Sequence, residues 1–146
     1  APLRIDKPIA RWWAAGAYRP AERILQFAVY DQGVGIPWTL PRNTSRWKAL
    51  TGQMPIERTD ADVIAGAIEH GRSSTDLEER GNGLATICDV VQELAGSFVR
   101  IVSGSGQVTY SSQAKATKSN FLNPFCGTLI EWTLKLPPEE EVRDAA

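Results

Sequence analysis

Two apolar stretches near the start of the chain are separated by only four residues, and this spacing limits the sheet that they can form. The first, residues 9–18 (IARWWAAGAY), is rich in aromatic and small apolar residues, and the second, residues 23–30 (RILQFAVY), alternates before it becomes continuously apolar. Both patterns are typical of β-strands. The residues between them (RPAE) have the composition of a turn. Because strands joined so closely pair antiparallel, we predict a β-hairpin.

Two later segments have the apolar spacing of amphipathic helices. Residues 60–70 (DADVIAGAIEH) begin with acidic residues, carry their apolar side chains on one face and are followed by Gly71. Residues 84–95 (LATICDVVQELA) have an apolar stripe at helical spacing and are followed by Gly96. Since glycine commonly ends a helix, we predict a helix over each segment.

Three further strands are predicted in the last third of the chain. Residues 97–103 and 107–112 flank Gly104-Ser105-Gly106, which has the composition of a hairpin turn. Residues 127–136 (GTLIEWTLKL) alternate as a strand does. We predict a polar loop over residues 112–124 and a mobile acidic tail over residues 137–146.

This order of elements predicts an α+β fold, a two-layer α/β sandwich whose mixed, mostly antiparallel sheet has helices on one face. A doubly wound parallel sheet is disfavoured because it would need repeated βαβ units. The 146 residues fit a single domain. Since the chain begins with Ala1 rather than Met, we expect it to be the C-terminal portion of a larger protein.

Composition excludes several classes of function. With 17 acidic and 16 basic residues, the chain lacks the basic excess that is usual in nucleic-acid-binding domains. No apolar run approaches the roughly 20 residues that a membrane span needs. Its single histidine and two cysteines form no common zinc pattern. A disulfide between Cys88 and Cys126 stays open, but we expect a reduced, cytoplasmic protein.

The first of two glycine-rich segments, residues 31–37 (DQGVGIP), follows the second predicted strand. Gly33 and Gly35 have no side chains, so a flat ligand can approach the backbone closely. The carboxylate of Asp31 can accept a hydrogen bond from an exocyclic amine such as that of adenine. The segment alone is equally compatible with an ordinary loop.

The second segment, residues 80–84 (RGNGL), immediately precedes the second predicted helix. Backbone N–H groups at a helix N-terminus favour phosphate oxygens, and glycines let a phosphate come near. By itself this segment is more often the flexible start of an ordinary helix. Neither the Walker pattern nor GxGxxG occurs in the chain.

Together the motifs resemble those of the ATP-binding domains of the gyrase/chaperone/histidine-kinase (GHKL) type, and in particular bacterial histidine-kinase-like ATP-binding proteins. Asp-x-Gly-x-Gly-Ile-Pro follows a strand, Gly-x-Gly-Leu opens a helix and Gly-Thr opens the last strand, so that the resemblance covers about residues 9–136. It implies an ATP site formed by Asp31, Gly33, Gly35, Ile36, Ser74, Thr75, Gly81, Asn82, Gly83, Leu84 and Thr128. Arg80 flanks the predicted phosphate segment and is a further candidate for the site, although an ordinary solvated charge is equally open there.

The resemblance also implies a role for each part of this site. Asp31 would bind adenine, and Thr128 would support that contact through water. The segment from Gly81 to Gly83 would lie against the phosphates. Ser74 and Thr75 would belong to a lid that closes over the triphosphate.

The chain departs from the family pattern at its N-terminus. GHKL proteins carry a helix before the hairpin whose asparagine holds Mg²⁺ and whose glutamate, in hydrolytic members, activates water. Only eight residues precede the first predicted strand, too few for that helix. Glu78 and Asn82 have the same spacing, but Asn82 lies inside the second glycine segment, so we interpret the match as coincidence. We therefore expect Mg²⁺ only in the complete protein, and the catalytic residues stay unidentified.

Three functions remain open at this point. The chain could be the catalytic domain of an ATPase or protein kinase, or a nucleotide-sensing, anti-sigma-like regulatory module without hydrolysis. It could also keep the fold only as a scaffold, although the intact Asp31, glycine segments and Thr128 argue against this. Besides adenine nucleotide, a regulatory protein or a second copy of the chain is a possible partner.

Overall fold

A computed structural model describes residues 9–39, 58–73, 83–112 and 115–138. Within these ranges the chain forms four strands and three helices. In chain order they are β1 (Ile9–Arg19), β2 (Ile24–Gln32), α1 (Ile36–Thr39), α2 (Asp60–Ser73), α3 (Gly83–Glu93), β3 (Phe98–Ser111) and β4 (Thr117–Lys135).

The four strands form one open sheet in the order β1-β2-β4-β3. The predicted N-terminal hairpin is confirmed, since β1 and β2 pair antiparallel from Arg19↔Ile24 outwards. All three pairings between the described strands are antiparallel. The predicted α+β class with a mostly antiparallel sheet is therefore confirmed, whereas the described strands show no parallel pair that would make the sheet mixed.

The predicted hairpin at Gly104-Ser105-Gly106 is wrong, because β3 runs through these residues as one strand of 14. The two glycines instead mark irregularities in the register between β3 and β4, and Gly104 has a φ of 58°. The helix α2 rests against this point: a Cβ on Gly106 would overlap the backbone of Ala61. The glycines therefore permit a close approach of the helix rather than a reversal of the chain.

The predicted polar loop over residues 112–124 is also wrong over most of its length. Strand β4 already begins at Thr117 and is 19 residues long, and it includes the predicted final strand. Its first seven residues are exposed. A strand segment that buries neither face needs no apolar alternation, so its sequence resembles that of a loop.

The two longer helices are confirmed with shifted ends. Helix α2 continues through Gly71, and α3 ends at Glu93, two residues before the predicted end. The short helix α1 was not predicted, because the glycines and the proline of residues 31–37 were interpreted only as breakers. Pro37 lies in its first turn, where a missing N–H group costs no helical hydrogen bond.

The core lies between the two longer helices and one face of the sheet. Apolar side chains at alternate positions of β3 contact side chains of α2 and α3. The fully buried members of this core are Ala61, Ile64, Ile68, Cys88, Val91, Val99, Ile101 and Val108. Cys88 forms no disulfide with Cys126. At the opposite edge of the sheet the residues of β1 from Arg11 onwards are exposed.

None of the described helices is long and apolar enough to cross a membrane.

A reciprocal cap begins helix α2. The Thr59 hydroxyl donates to Asp62 Oδ2 over 2.8 Å, and the Asp62 N–H donates to Thr59 Oγ1 over 3.3 Å. Lys118 of β4 forms an ion pair with Asp62 at 3.1 Å. These partners, the Thr59 hydroxyl first, hold the pKa of Asp62 below its ordinary value of 3.8. The carboxylate therefore stabilises the folded protein above that pH, and its contribution is lost as the pH falls towards the lowered pKa.

We expect the Asp62→Asn variant to lose about 1 kcal/mol of the free energy of unfolding near neutral pH. The reason is that the hydrogen bonds from Thr59 are accepted by a charged carboxylate, which the variant replaces with a neutral amide. Urea denaturation of variant and wild type at neutral pH, and again below pH 3.8, measures the difference. The difference in the free energy of unfolding should be smaller at the acidic pH, where Asp62 is protonated in part. The exposed Glu69→Gln on the same helix is the matched control. A difference that is constant with pH would contradict the role of the carboxylate.

Candidate functional site

Three polar side chains form a row across one end of the sheet. Asp31 of β2 lies opposite Thr128 of β4, and Thr128 lies opposite Ser103 of β3. Directly paired residues of antiparallel strands point to the same face, with Cβ atoms about 5 Å apart. Ser103 is two residues from Ile101, whose side chain lies in the core. The polar row is therefore on the face of the sheet that the helices cover.

Asp31 organises the turn that follows β2. Its Oδ1 accepts a hydrogen bond from the Gly33 N–H over 2.7 Å, which is an Asx-type turn. A Cβ on Gly33 would lie 2.8 Å from the same oxygen, so this close turn favours glycine. Among the described residues no hydrogen bond reaches Oδ2 of Asp31. One carboxylate oxygen thus holds the turn and the other can accept a hydrogen bond from a ligand.

The turn continues over the ends of β3 and β4. Gly35 is buried with a φ of 85°, and a Cβ there would lie 2.8 Å from Ser103 Oγ. The Ile36 N–H donates to that oxygen over 2.9 Å. Gly35 is thus required both for its backbone conformation and for space. The start of α1 is thereby fixed beside the polar row.

Gly127, which precedes Thr128, lies against the backbone of β2. It is buried with a φ of 85°, and a Cβ there would overlap the carbonyl oxygen of Asp31. The carbonyl of Gly127 accepts a hydrogen bond from Ser103 Oγ over 2.9 Å. Gly127 therefore sets how closely Asp31 approaches Thr128.

Helix α3 begins at Gly83, which is exposed. Among the described residues, no atom beyond its chain neighbours and its own helix backbone lies within 4 Å of a Cβ built on it. Leu84 is half-buried and packs against the core, so it anchors the first turn. A turn closed by the hydrogen bond from Ser97 N to Leu94 O joins α3 to β3, on which the helix packs. We infer that α3 runs back along β3.

The length of α3 is compatible with an N-terminus near the polar row. Its 11 residues span about 16 Å, as far as about five residues of a strand. Along β3 from its first residue, Phe98, a distance of this length ends at Ser103. We infer that the first N–H groups of α3 lie at the same end of the sheet as Asp31.

Five of the predicted site residues fall outside the described residues, and so do Glu78 and the predicted tail beyond residue 138. These five are Ser74, Thr75, Arg80, Gly81 and Asn82. The seven others are described, and Asp31, Gly33, Gly35, Ile36 and Thr128 lie together. The described part of the chain contains no group of three or more His, Cys, Asp and Glu side chains that could hold a metal ion.

Sequence reasoning missed Ser103 and used Gly127 only to mark the start of a strand. Ser103 is completely buried, and it follows Val99 and Ile101 at alternate positions of β3, on the face that points to the core. A lone hydroxyl in an otherwise apolar row was the available signal, since buried polar groups need hydrogen-bond partners. The predicted hairpin at Gly104 concealed it, because Ser103 then fell at the end of a strand.

The chain matches no model of a known protein family, and no curated protein matches it. A functional proposal therefore rests on the open antiparallel sheet with its helices and on the pairing of Asp31 with Thr128 beside a turn that contains glycine.

Proposed function

We propose that this chain is the ATP-binding domain of a histidine-kinase-like ATPase of the GHKL type, in which Asp31 binds adenine. The observation that carries the proposal is the pairing of Asp31 with Thr128 at the end of the sheet, beneath the turn of Gly33 and Gly35. These residues are far apart in the sequence, and they belong to the two motifs that suggested an adenine site.

The chemistry of the pair suits an aminopurine. A carboxylate accepts hydrogen bonds only, and the 6-amino group of adenine donates them. Oδ1 of Asp31 is occupied by the Gly33 N–H, which leaves Oδ2 for the amine. The glycines of the turn give a flat base access to the backbone.

The phosphates would extend towards the N-terminus of α3. Its N–H groups and helix dipole favour negative charge, and the described residues leave space beside Gly83 in the first turn. Bound Mg²⁺ would neutralise part of the triphosphate charge. The resemblance places its asparagine ligand, and the base for hydrolysis or phosphotransfer, before β1. We therefore propose that these 146 residues alone bind ATP weakly and turn it over negligibly.

We expect Asp31→Asn to weaken ATP binding by about 10- to 100-fold, because a charge-assisted hydrogen bond is replaced and an amide N–H group faces the amine of the base. NMR titration measures the dissociation constant even when binding is weak. The matched control is Glu93→Gln, an exposed carboxylate at the other end of α3, which should bind ATP as the wild type does. Unchanged ATP affinity in a folded Asp31→Asn variant would exclude Asp31 from the site.

A further inference from the structure

The hydroxyl of Ser103 is fully buried and has three hydrogen-bond partners. The Ile36 N–H lies 2.9 Å from Ser103 Oγ, and the carbonyl oxygen of Gly127 also lies 2.9 Å away. The third partner is Thr128 Oγ1 at 3.1 Å, and the distance alone does not say which hydroxyl donates.

The chemistry of the other two partners decides that question. A hydroxyl has one proton and two lone pairs. An amide N–H group can only donate, so Ile36 uses a lone pair of Ser103; a carbonyl can only accept, so Gly127 takes its proton. Ser103 then has no proton left for Thr128. The hydrogen bond between the hydroxyls must run from Thr128 to Ser103.

This direction determines what Thr128 offers to a ligand. Its proton is used inside the protein, so Oγ1 presents only lone pairs to the site. Asp31, on the same face in the paired position, also presents only lone pairs. In this arrangement Thr128 contacts the base directly, not through the water that the resemblance implies. Two neighbouring acceptors can share the two protons of an amine, whereas the oxygen of a carbonyl would face both of them unpaired.

We propose that Ser103 is a positioning residue for base selectivity: by consuming the proton of Thr128, it makes the site favour a 6-aminopurine over a 6-oxopurine. This inference rests on the proposed function. A role of Ser103 in holding the turn alone would predict lower stability and weaker binding of every nucleotide by the same factor. Selectivity distinguishes the two roles, because only the proton arrangement affects it.

ATP and inosine triphosphate are suitable probes, since their bases differ only at position 6 and at the adjoining N1 proton. The measured quantity is the ratio of their dissociation constants by NMR titration, for wild type, Ser103→Ala, Thr128→Val and the double variant. We expect the wild type to prefer ATP, and Ser103→Ala to lower this preference about tenfold because the freed proton of Thr128 can then donate to the 6-oxo group.

The double variant tests whether Ser103 acts through Thr128. Once valine has removed the hydroxyl, Ser103→Ala should change the ratio no further. Ser103→Thr keeps a hydroxyl and should retain the wild-type ratio. An unchanged ratio in a folded Ser103→Ala variant, or an equal further loss in the Thr128→Val background, would overturn the inference.

A measurement on the wild type covers the case in which Ser103→Ala does not fold. The hydroxyl proton of Thr128 should be protected from exchange and show a nuclear Overhauser effect to the β-protons of Ser103. A rapidly exchanging Thr128 hydroxyl would overturn the inference whether or not nucleotide binds. If that proton is protected but the wild type binds neither triphosphate, the proposed function fails while the direction of the hydrogen bond stands.

Discussion

Replacing Gly127 with alanine is expected to lower the free energy of unfolding by about 3 kcal/mol or more. The new Cβ would overlap the carbonyl oxygen of Asp31, which is backbone of the adjacent strand and cannot rotate away as a side chain can. The φ of 85° at this position adds strain for any residue with a side chain. Relief requires β2 and β4 to separate at the end of the sheet where Asp31 and Thr128 pair.

Gly16→Ala is the matched control for this prediction, since Gly16 also lies in a strand of the same sheet. A Cβ there would meet the ring of Phe27 at 3.2 Å, and that ring is partly exposed and can shift. We expect its effect to stay within about 1 kcal/mol. Urea denaturation of the two variants gives the comparison. Equal losses in the free energy of unfolding would show that Gly127 does not lie in contact with the backbone of Asp31.

The second large effect is expected for Gly106→Ala, at about 3 kcal/mol. The added Cβ would overlap the backbone nitrogen of Ala61 in the first turn of α2, so helix and strand must move apart. Such a movement withdraws the fully buried Ile64 and Ile68 from the core. It also strains the hydrogen bond of 2.7 Å from Ser105 N to Asp60 Oδ2.

Gly83→Ala provides the control for this variant, because the residue is in a helix and no other part of the described structure lies within 4 Å of the added Cβ. We expect it to be neutral or to stabilise the protein by up to about 1 kcal/mol, since alanine restricts the unfolded chain more than glycine does. Hydrogen exchange of the α2 amides should accelerate in Gly106→Ala and stay unchanged in Gly83→Ala. Unchanged exchange in both variants would refute the docking of α2 on Gly106.

The parts of the fold that were predictable from the sequence are those that local patterns determine. The β1–β2 hairpin follows from two apolar stretches and a turn, and α2 and α3 follow from their apolar spacing. The long β3–β4 hairpin was not predictable in this way. Gly104 and Gly106 have the composition of a turn. In the structure they instead give α2, about 45 residues away in the chain, room to pack against β3.

The same distinction applies to the candidate site. Asp31 and Thr128 were identified through motifs, and the structure pairs them. Ser103 belongs to no motif, and its importance depends on a register that brings Ile36, Gly127 and Thr128 to one oxygen. A sequence pattern shows which residue types are present. It does not show that residues distant in the chain meet at one oxygen, because that depends on how the strands pair.

The strand order has a consequence for how the protein is made. Strand β4 is the last of the described strands in the chain but lies inside the sheet, between β2 and β3, and Ile24 pairs with Lys135. A ribosome must release almost all of the described residues before Asp31 can meet Thr128. Such distant pairings are typical of domains that fold in milliseconds to seconds rather than microseconds. The hairpin of β1 and β2 can therefore pair with β4 only after β4 has been synthesised, and the candidate site forms at that stage.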